Sequence, residues 1–150
     1  MSIDSEELLL RLEAAKRVAL KAGEFLLQQE KAGVNVGHEK KRNDYVTESD
    51  SLCEHLIIDA LRTQFPQDGF FGEEDGILSS GSGSRWVIDP IDGTVNFMRG
   101  IPNYTISIAW EVEPYQPLIG VVYVPRQNEL FWGAEGNGAW LNDRRIKVSD

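Results

Sequence analysis

The stretch RWVIDPIDGTVNF, residues 85–97, predicts an apolar strand that ends in a turn with two carboxylates, Asp89 and Asp92. Pro90 stiffens this turn because its ring fixes φ, and because it has no N–H the carbonyl of Ile91 stays available to a cation. Hard cations such as Mg²⁺ bind carboxylate and carbonyl oxygens. We therefore predict that Asp89 holds one ion and that Asp92 reaches a second. Such a pair would clamp a phosphoryl group and lower the pKa of a bound water.

The residues after Asp92 predict the start of a short helix. Gly93 and Thr94 would direct their N–H groups outward at its first turn. Free N–H groups and the positive end of a helix dipole form an anion site that suits a phosphate. Cation ligands and phosphate donors are therefore expected side by side.

Two amphipathic helices are predicted before this stretch. Apolar residues recur at steps of three and four from residue 5 to about residue 31, and Gly33 ends that pattern. A second helix starts near Thr47 or Ser49 and stops at Pro66. Residues 34–45 contain Gly and a basic run, which favours an extended loop or an irregular hairpin.

Strands dominate the rest of the chain. GFFGEEDG (69–76) indicates a short strand that enters a turn, and SSGSGS (79–84) is typical of a flexible surface loop. Three strands follow the carboxylate turn, and two shorter ones surround Asn142 and Asp143. We therefore predict an α+β fold in which two helices pack on a largely antiparallel sheet. The three longer strands lie in YTISIAWEV (104–112), PLIGVVYV (117–124) and ELFWGAE (129–135).

Acidic residues fall at the ends of three predicted elements. Asp50 lies in the first turn of the second helix, Glu73 and Glu74 follow FFG, and Asp89 and Asp92 follow RWVI. Each has an ordinary explanation, as a helix-start acid, a solvated loop or a plain turn. All five together favour a metal site, because element ends are where a rigid scaffold presents functional side chains.

Composition excludes several classes of function. A chain of 150 residues is long enough for one domain with a core. Its net charge of −9 disfavours binding to nucleic acids and anionic membranes, and requires local cations for any anionic substrate. The lone Cys53, the absence of an apolar run of about 18 residues and an acidic N-terminus predict a cytoplasmic protein.

Three motifs in this order resemble the inositol monophosphatase family of magnesium-dependent, lithium-sensitive phosphomonoesterases. They are VTESD (46–50), GEE (72–74) and WVIDPIDGTVNF (86–97), and the likeness extends over nearly all of the chain after residue 40. The resemblance implies the N-terminal half of an inositol monophosphatase-like fold. Family members continue into a second α/β half with a Trp-Asp motif. Neither Trp132 nor Trp140 is followed by Asp, so we expect residues 1–150 to be the N-terminal domain without that half.

The resemblance also implies metal ligands at matching positions. Glu73, Asp89 and the carbonyl of Ile91 would hold a first Mg²⁺, and Asp89 with Asp92 would hold a second. Glu73 would help to hold a third, weakly bound ion through waters. Glu74 would support this set.

The remaining positions would serve the water and the substrate. Thr94 would hydrogen-bond the attacking water and be oriented by Asp50, and the N–H groups of Gly93 and Thr94 would bind the phosphate, with Asp92 beside it. A family lysine is matched by Lys40 or Lys41, and the loop length leaves both open.

The expected activity is hydrolysis of inositol monophosphate or a similar small sugar phosphate by direct attack of water, since the chain offers no obvious nucleophile beside a base. Fructose bisphosphate, histidinol phosphate and phosphoadenosine phosphate are alternative substrates. A non-catalytic interaction module is the alternative from another class. We expect this half alone to bind Mg²⁺ weakly and to turn over slowly or not at all, and a homodimer at full length. His38 and His55 are not expected to act directly.

Overall fold

The computed structural model of the chain describes residues 3–33, 37–41, 44–78, 83–113 and 115–150, without the side chains of residues 38–41, 44–46 and 113. No helix within these ranges is both long enough and apolar enough to span a bilayer. The elements in chain order are α1 (Ser5–Lys31), β1 (Gly37–Lys41), β2 (Asp44–Thr47), α2 (Glu48–Gln64), β3 (Gly69–Gly72), β4 (Gly76–Leu78), β5 (Arg85–Asp92), α3 (Thr94–Met98), β6 (Thr105–Glu113), β7 (Gln116–Val124), a 3-10 turn (Pro125–Gln127), β8 (Glu129–Ala134), β9 (Gly138–Leu141) and β10 (Arg144–Ile146).

Both long helices begin with side chains that cap free N–H groups. The Asp4 side chain accepts a hydrogen bond from the N–H of Glu6 at the start of α1. Thr47 and Asp50 form a reciprocal capping box at the start of α2. Helix α2 ends at Gln64, two residues before Pro66, as predicted.

The main sheet has eight strands in the order β10-β9-β8-β7-β6-β5-β3-β4. Every neighbouring pair is antiparallel except β3 and β5, which are parallel. The predicted α+β class and the largely antiparallel sheet are confirmed. The parallel pair was not predicted, because β4 lies in a stretch that was interpreted as a turn and a loop. Strand β4 pairs with the outer edge of β3 and leaves the inner edge to β5.

Helices α1 and α2 cover one face of this sheet and form the core with it. Gly23 lets α1 approach β7 closely, since a Cβ at Gly23 would overlap the ring of Tyr123. Trp86 on β5 and Trp110 on β6 are fully packed, with ring centroids 6.3 Å apart. The larger core side chains on the helices and the sheet are Leu12, Val18, Leu26, Ile57, Leu61, Phe70, Ile88, Ile106, Ile108, Ile119 and Val121.

The basic run before α2 forms a two-stranded hairpin of β1 and β2, the second of the two alternatives for this region. Its register shifts between Glu39 and Lys41, so it is irregular. Residues 79–82 of the predicted flexible loop lie outside the described residues. For the end of that loop the prediction was wrong, because Ser84 is buried and its hydroxyl donates to Asp68 at 3.0 Å.

Asp68 connects α1 to the start of the sheet through hydrogen bonds. Its carboxylate accepts hydrogen bonds from Nε of Arg11 at 3.0 Å and from Nη2 of Arg11 at 3.1 Å. The same carboxylate accepts hydrogen bonds from Ser84 and from Nε1 of Trp86, both at 3.0 Å. The Asp68 side chain is 1% exposed, so this charge is stabilised by its partners rather than by water.

Asp68→Ala should lower the free energy of unfolding by about 3–5 kcal/mol, because it removes the buried carboxylate that pairs with the guanidinium of Arg11. Arg11 also pairs with Glu7, which is half exposed, so the control Glu7→Gln should cost less than about 1 kcal/mol. Urea denaturation of both variants measures the difference. Equal, small losses would show that the buried pair does not hold α1 in place.

Candidate functional site

The parallel pairing of β3 and β5 brings two of the predicted acids together. In the register of this pair Gly72 lies opposite Ile88, and the N–H of Glu73 donates to the carbonyl of Ile88 at 3.2 Å. Parallel strands end at the same edge of a sheet. Glu73, directly after β3, therefore lies beside Asp89.

An irregularity in β5 decides which way its two aspartates point. Asp89 pairs with Ser107 and Asp92 pairs with Thr105, so two residues of β5 oppose one residue of β6. Residues three positions apart in a regular strand face opposite sides of the sheet. One extra residue in a bulge between them places both on the same side. The bulge thus directs both aspartates to the face away from the helices.

The two residues of the bulge suit their position. Pro90 and Ile91 are both buried, and the carbonyl oxygen of Pro90 accepts a hydrogen bond from the thiol of Cys53 on α2. Pro90 lacks an N–H and is tolerated in a sheet at such a position, where no ladder hydrogen bond is lost. The segment 89–92 was predicted as a turn after the strand, and the structure instead shows it as the bulged end of β5.

Two neighbouring acids affect Asp89. The side chain of Glu73 contacts that of Asp89, and Asp92 adds a second negative charge close to it. Burial, the Glu73 contact and the Asp92 charge together raise the pKa of Asp89 to about 8. Ionised carboxyl groups in such a contact are unfavourable unless a cation compensates for their charge.

The donor set fits a hard cation. Oδ1 of Asp89 is buried and has no hydrogen-bond partner among the described residues. Its neighbours are carboxylate and carbonyl oxygens, which Mg²⁺ and Ca²⁺ bind. Within the ranges that the structure covers, no three His, Cys, Asp or Glu side chains are already arranged around a common point as metal ligands. Glu73 and Asp89 contact each other instead.

A second group of residues joins α2 to the start of α3. The hydroxyl of Thr94 lies 3.0 Å from Oδ1 of Asp50 and 3.2 Å from the carbonyl oxygen of Ile91. Oδ2 of Asp50 accepts the N–H of Thr47 at 2.8 Å and its hydroxyl at 2.6 Å. Asp50 is 1% exposed, and burial raises its pKa although these hydrogen bonds lower it. The predicted Asp50–Thr94 contact is therefore present.

The start of α3 follows from a glycine. Gly93 has φ of +95°, a left-handed conformation that other residues rarely adopt. A Cβ at this position would lie 3.0 Å from the carbonyl oxygen of Asn103. Gly93 therefore allows the chain to turn from β5 directly into a helix at Thr94.

One buried acid of α2 was missed by sequence reasoning. Glu54 is fully buried, and its two carboxyl oxygens accept the N–H groups of Glu74 and Asp75 at 3.1 and 2.8 Å. Burial raises the pKa of Glu54, against the opposing effect of these two hydrogen bonds. A helical acid is usually solvated, so the only available signal was its position one turn after Asp50.

Comparisons with known proteins agree with this geometry. Residues 8–150 match the sequence model of the Inositol monophosphatase family. The chain belongs to this family. The structure also superimposes on a crystal structure of the extragenic suppressor protein suhB of Bartonella henselae with a TM-score of 0.88 and 36% identity, over 93% of this chain and 55% of that one.

Two curated relatives of this inositol monophosphatase family member carry different names. A fructose-1,6-bisphosphatase/inositol-1-monophosphatase of Aquifex aeolicus is 40% identical over 97% of this chain and 55% of its own length. A Nus factor SuhB of Pasteurella multocida is 44% identical over 74% of this chain and 42% of its own length. The chain thus spans about half the length of the curated relatives that it matches.

The remaining predicted site residues are placed less completely. The structure gives the backbone of Lys40 and Lys41 in β1, and their side chains lie outside the described part. The backbone N–H of Glu74 donates a hydrogen bond to the side chain of Glu54. His55 contacts Asp75 at 2.7 Å on an exposed surface, and the side chain of His38 is outside the described residues. The roles of all these residues as ligands or supporting groups stay predictions.

Asp89→Asn should stabilise this family member when metal is absent and the pH is about 8. The pKa of Asp89 is 3.8 in an unfolded chain and about 8 in the folded one. Between these values the folded chain holds more protons, so the free energy of unfolding falls as the pH rises. Replacing the acid removes this loss, which should exceed about 1 kcal/mol since one pKa unit corresponds to about 1.4 kcal/mol.

Urea denaturation in a chelator at pH 5 and at pH 8 measures this effect. The exposed acid Asp59 on α2 supplies the control Asp59→Asn, which should leave the pH dependence of unfolding unchanged. A wild-type free energy of unfolding that does not fall between the two pH values would contradict the raised pKa of Asp89.

Proposed function

We propose that the protein carrying this chain is a Mg²⁺-dependent, lithium-sensitive phosphomonoesterase that hydrolyses inositol monophosphate or a similar small sugar phosphate. The observation that supports it most is the contact of Glu73 with Asp89 on the bulged strand, next to the Asp50–Thr94 pair. Fructose bisphosphate, histidinol phosphate and phosphoadenosine phosphate remain alternative substrates. The protein is proposed to act in the cytoplasm as a homodimer.

Three acids and one carbonyl would hold the metal. Glu73, Asp89 and the carbonyl oxygen of Ile91 would hold one Mg²⁺, and Asp89 with Asp92 would bind a second. When bound, Mg²⁺ would supply charge neutralisation for the phosphate and a lower pKa for water. Oδ1 of Asp89 supports this proposal, because among the described residues this buried oxygen has no hydrogen-bond partner, and such an oxygen is costly.

Thr94 would position the attacking water. Its hydroxyl has one proton, and Asp50 at 3.0 Å is an acceptor for it. When the Thr94 hydroxyl donates this hydrogen bond to Asp50, the lone pairs of its oxygen are directed to accept a hydrogen bond from a water. Asp50 is held by Thr47 on its other oxygen, so the orientation of Thr94 is fixed from α2.

The phosphate would bind at the start of α3. The backbone N–H groups of Gly93 and Thr94 are proposed as its donors, with Asp92 beside the substrate. Lys40 or Lys41 would offset the acidic charge there, and Glu74 would support the turn that carries Glu73. Such a cation would favour binding of an anionic substrate to a chain whose net charge is −9.

A second half is proposed to complete the enzyme on the open face of the sheet. A shallow apolar depression of about 510 Å³ lies on this face and includes Ala109, Leu118, Val122 and Phe131. Exposed apolar patches of this kind mark contact surfaces. The half length of the chain relative to its relatives supports this domain assignment, with residues 1–150 as the N-terminal metal- and phosphate-binding domain.

An interaction module is the second candidate function. It is favoured by the relative named Nus factor SuhB, whose name describes a factor rather than an enzyme. No nucleic acid contact is expected from so acidic a chain. Retention of Mg²⁺ binding by this chain would separate the phosphatase proposal from it.

Glu73→Gln and Asp89→Asn should each abolish calorimetrically detectable Mg²⁺ binding by this chain, since each removes a carboxylate ligand. In a protein extended to the length of the relatives, both variants should also lose Mg²⁺-dependent phosphate release. Glu24→Gln changes an exposed acid on α1 and should alter neither. Near-normal binding in both site variants would refute the metal assignment.

Thr94→Val should lower kcat of the extended protein by roughly 100-fold or more, the scale of a lost proton-transfer or water-orienting group. Its Mg²⁺ affinity should stay close to wild type, because the side chain is not a proposed ligand. Thr94→Ser keeps the hydroxyl and should restore most of the rate. Equal rates for the Val and Ser variants would exclude a role for this hydroxyl.

A further inference from the structure

Glu54 holds the backbone of the turn that carries Glu73. This turn connects β3 to β4, and two of its consecutive N–H groups, those of Glu74 and Asp75, donate to the two carboxyl oxygens of Glu54. Each oxygen of the carboxyl group thus accepts one backbone N–H. The turn is thereby fixed to α2 immediately after Glu73.

The residue before Glu73 packs against the same carboxyl group. An ideal Cβ at Gly72 would lie 2.5 Å from both Cδ and Oε1 of Glu54. Gly72 has an ordinary extended backbone, so its lack of a side chain serves this close approach rather than a special φ. Glu54 therefore contacts the chain on both sides of Glu73.

Simple packing does not explain an acid at this position. Glu54 is 0% exposed, and burying a carboxyl group is unfavourable unless hydrogen bonds compensate for its lost hydration. An apolar side chain would fill the same space without that cost, but it would leave the N–H groups of Glu74 and Asp75 without this acceptor. The acid at position 54 therefore serves to place the turn at residues 73–75.

We propose that Glu54 is a positioning residue that fixes the carboxylate of Glu73 beside Asp89, through the backbone of residues 72–75. This inference rests on the proposed metal-binding function and deepens it. Partners that orient metal ligands through hydrogen bonds commonly change metal affinity by about 10-fold to 100-fold when they are replaced. Asp75 also contacts His55 of α2 at 2.7 Å, and this second link between the turn and α2 remains when Glu54 is changed.

Glu54→Gln is the principal test, in this 150-residue chain. The glutamine oxygen can accept only one of the two N–H groups, and its amide nitrogen opposes the other. We expect faster hydrogen exchange and a shifted NMR resonance for the amide of Glu74 or Asp75. We also expect Mg²⁺ affinity to fall by about 10-fold or more in calorimetry. Asp59→Asn, on the same helix and with the same change of charge, should alter neither quantity.

The outcomes separate the two proposals. Release of the turn amides in Glu54→Gln with Mg²⁺ affinity within about twofold of wild type would overturn the positioning role. Absence of Mg²⁺ binding by the wild-type chain would refute the metal function, and amide exchange would still decide whether Glu54 fixes the turn. Unchanged exchange in Glu54→Gln would overturn the inference in either case.

Gly72→Ala provides a second variant if Glu54→Gln does not fold. It leaves every acidic group in place and displaces the Glu54 carboxyl group from the turn. The same exchange of turn amides and the same loss of Mg²⁺ affinity are expected. Unfolding of both variants while Asp59→Asn stays folded would make Glu54 a structural residue and would overturn the proposal.

Discussion

Repulsion between carboxylates at one edge of the sheet is the constraint on which the site depends. Glu73 follows one of two parallel strands and Asp89 and Asp92 lie on the other, where burial together with the neighbouring acids raises the pKa of Asp89 to about 8. A fold does not hold like charges together without support from the surrounding structure. Here that support comes from the register of β3 with β5, from the bulge that contains Pro90 and from helix α2.

Helix α2 supplies most of the support. Asp50 fixes Thr94 at the start of α3, and Glu54 fixes the turn after β3. Between them, the thiol of Cys53 donates to the carbonyl oxygen of Pro90 in the bulge at 3.6 Å. Successive turns of one helix therefore contact all three stretches that carry the proposed site. A shift of α2 would displace the metal ligands, the water-orienting group and the phosphate donors together.

Local signals in the sequence were sufficient for the helices and for the succession of strands after residue 100. Thr47 and Asp50 form a capping box that the spacing indicates, and Asn142 with Asp143 marks the last hairpin. The orientation of Asp89 and Asp92 was not accessible in this way. A spacing of three gives opposite faces in a regular strand, and only the pairing with β6 reveals the extra residue.

Long-range partners account for what the sequence could not predict. The parallel pairing of β3 with β5 depends on β4 occupying the other edge of β3, which no local pattern indicates. Glu54 resembles any solvated helical acid until the turn at residues 73–75 is placed beside it. Ser84 ends a run of small polar residues, and its burial follows from Asp68, sixteen positions earlier.

Anomalous diffraction from crystals of this chain soaked in Mn²⁺ tests the central claim most directly. A cation that relieves the repulsion should give an anomalous peak at ligand distance from the carboxylates of Glu73 and Asp89 and from the carbonyl oxygen of Ile91. The direct contact between the side chains of Glu73 and Asp89 should be broken in the same crystal. An intact contact between these two side chains, with no peak beside them at millimolar Mn²⁺, would contradict the account.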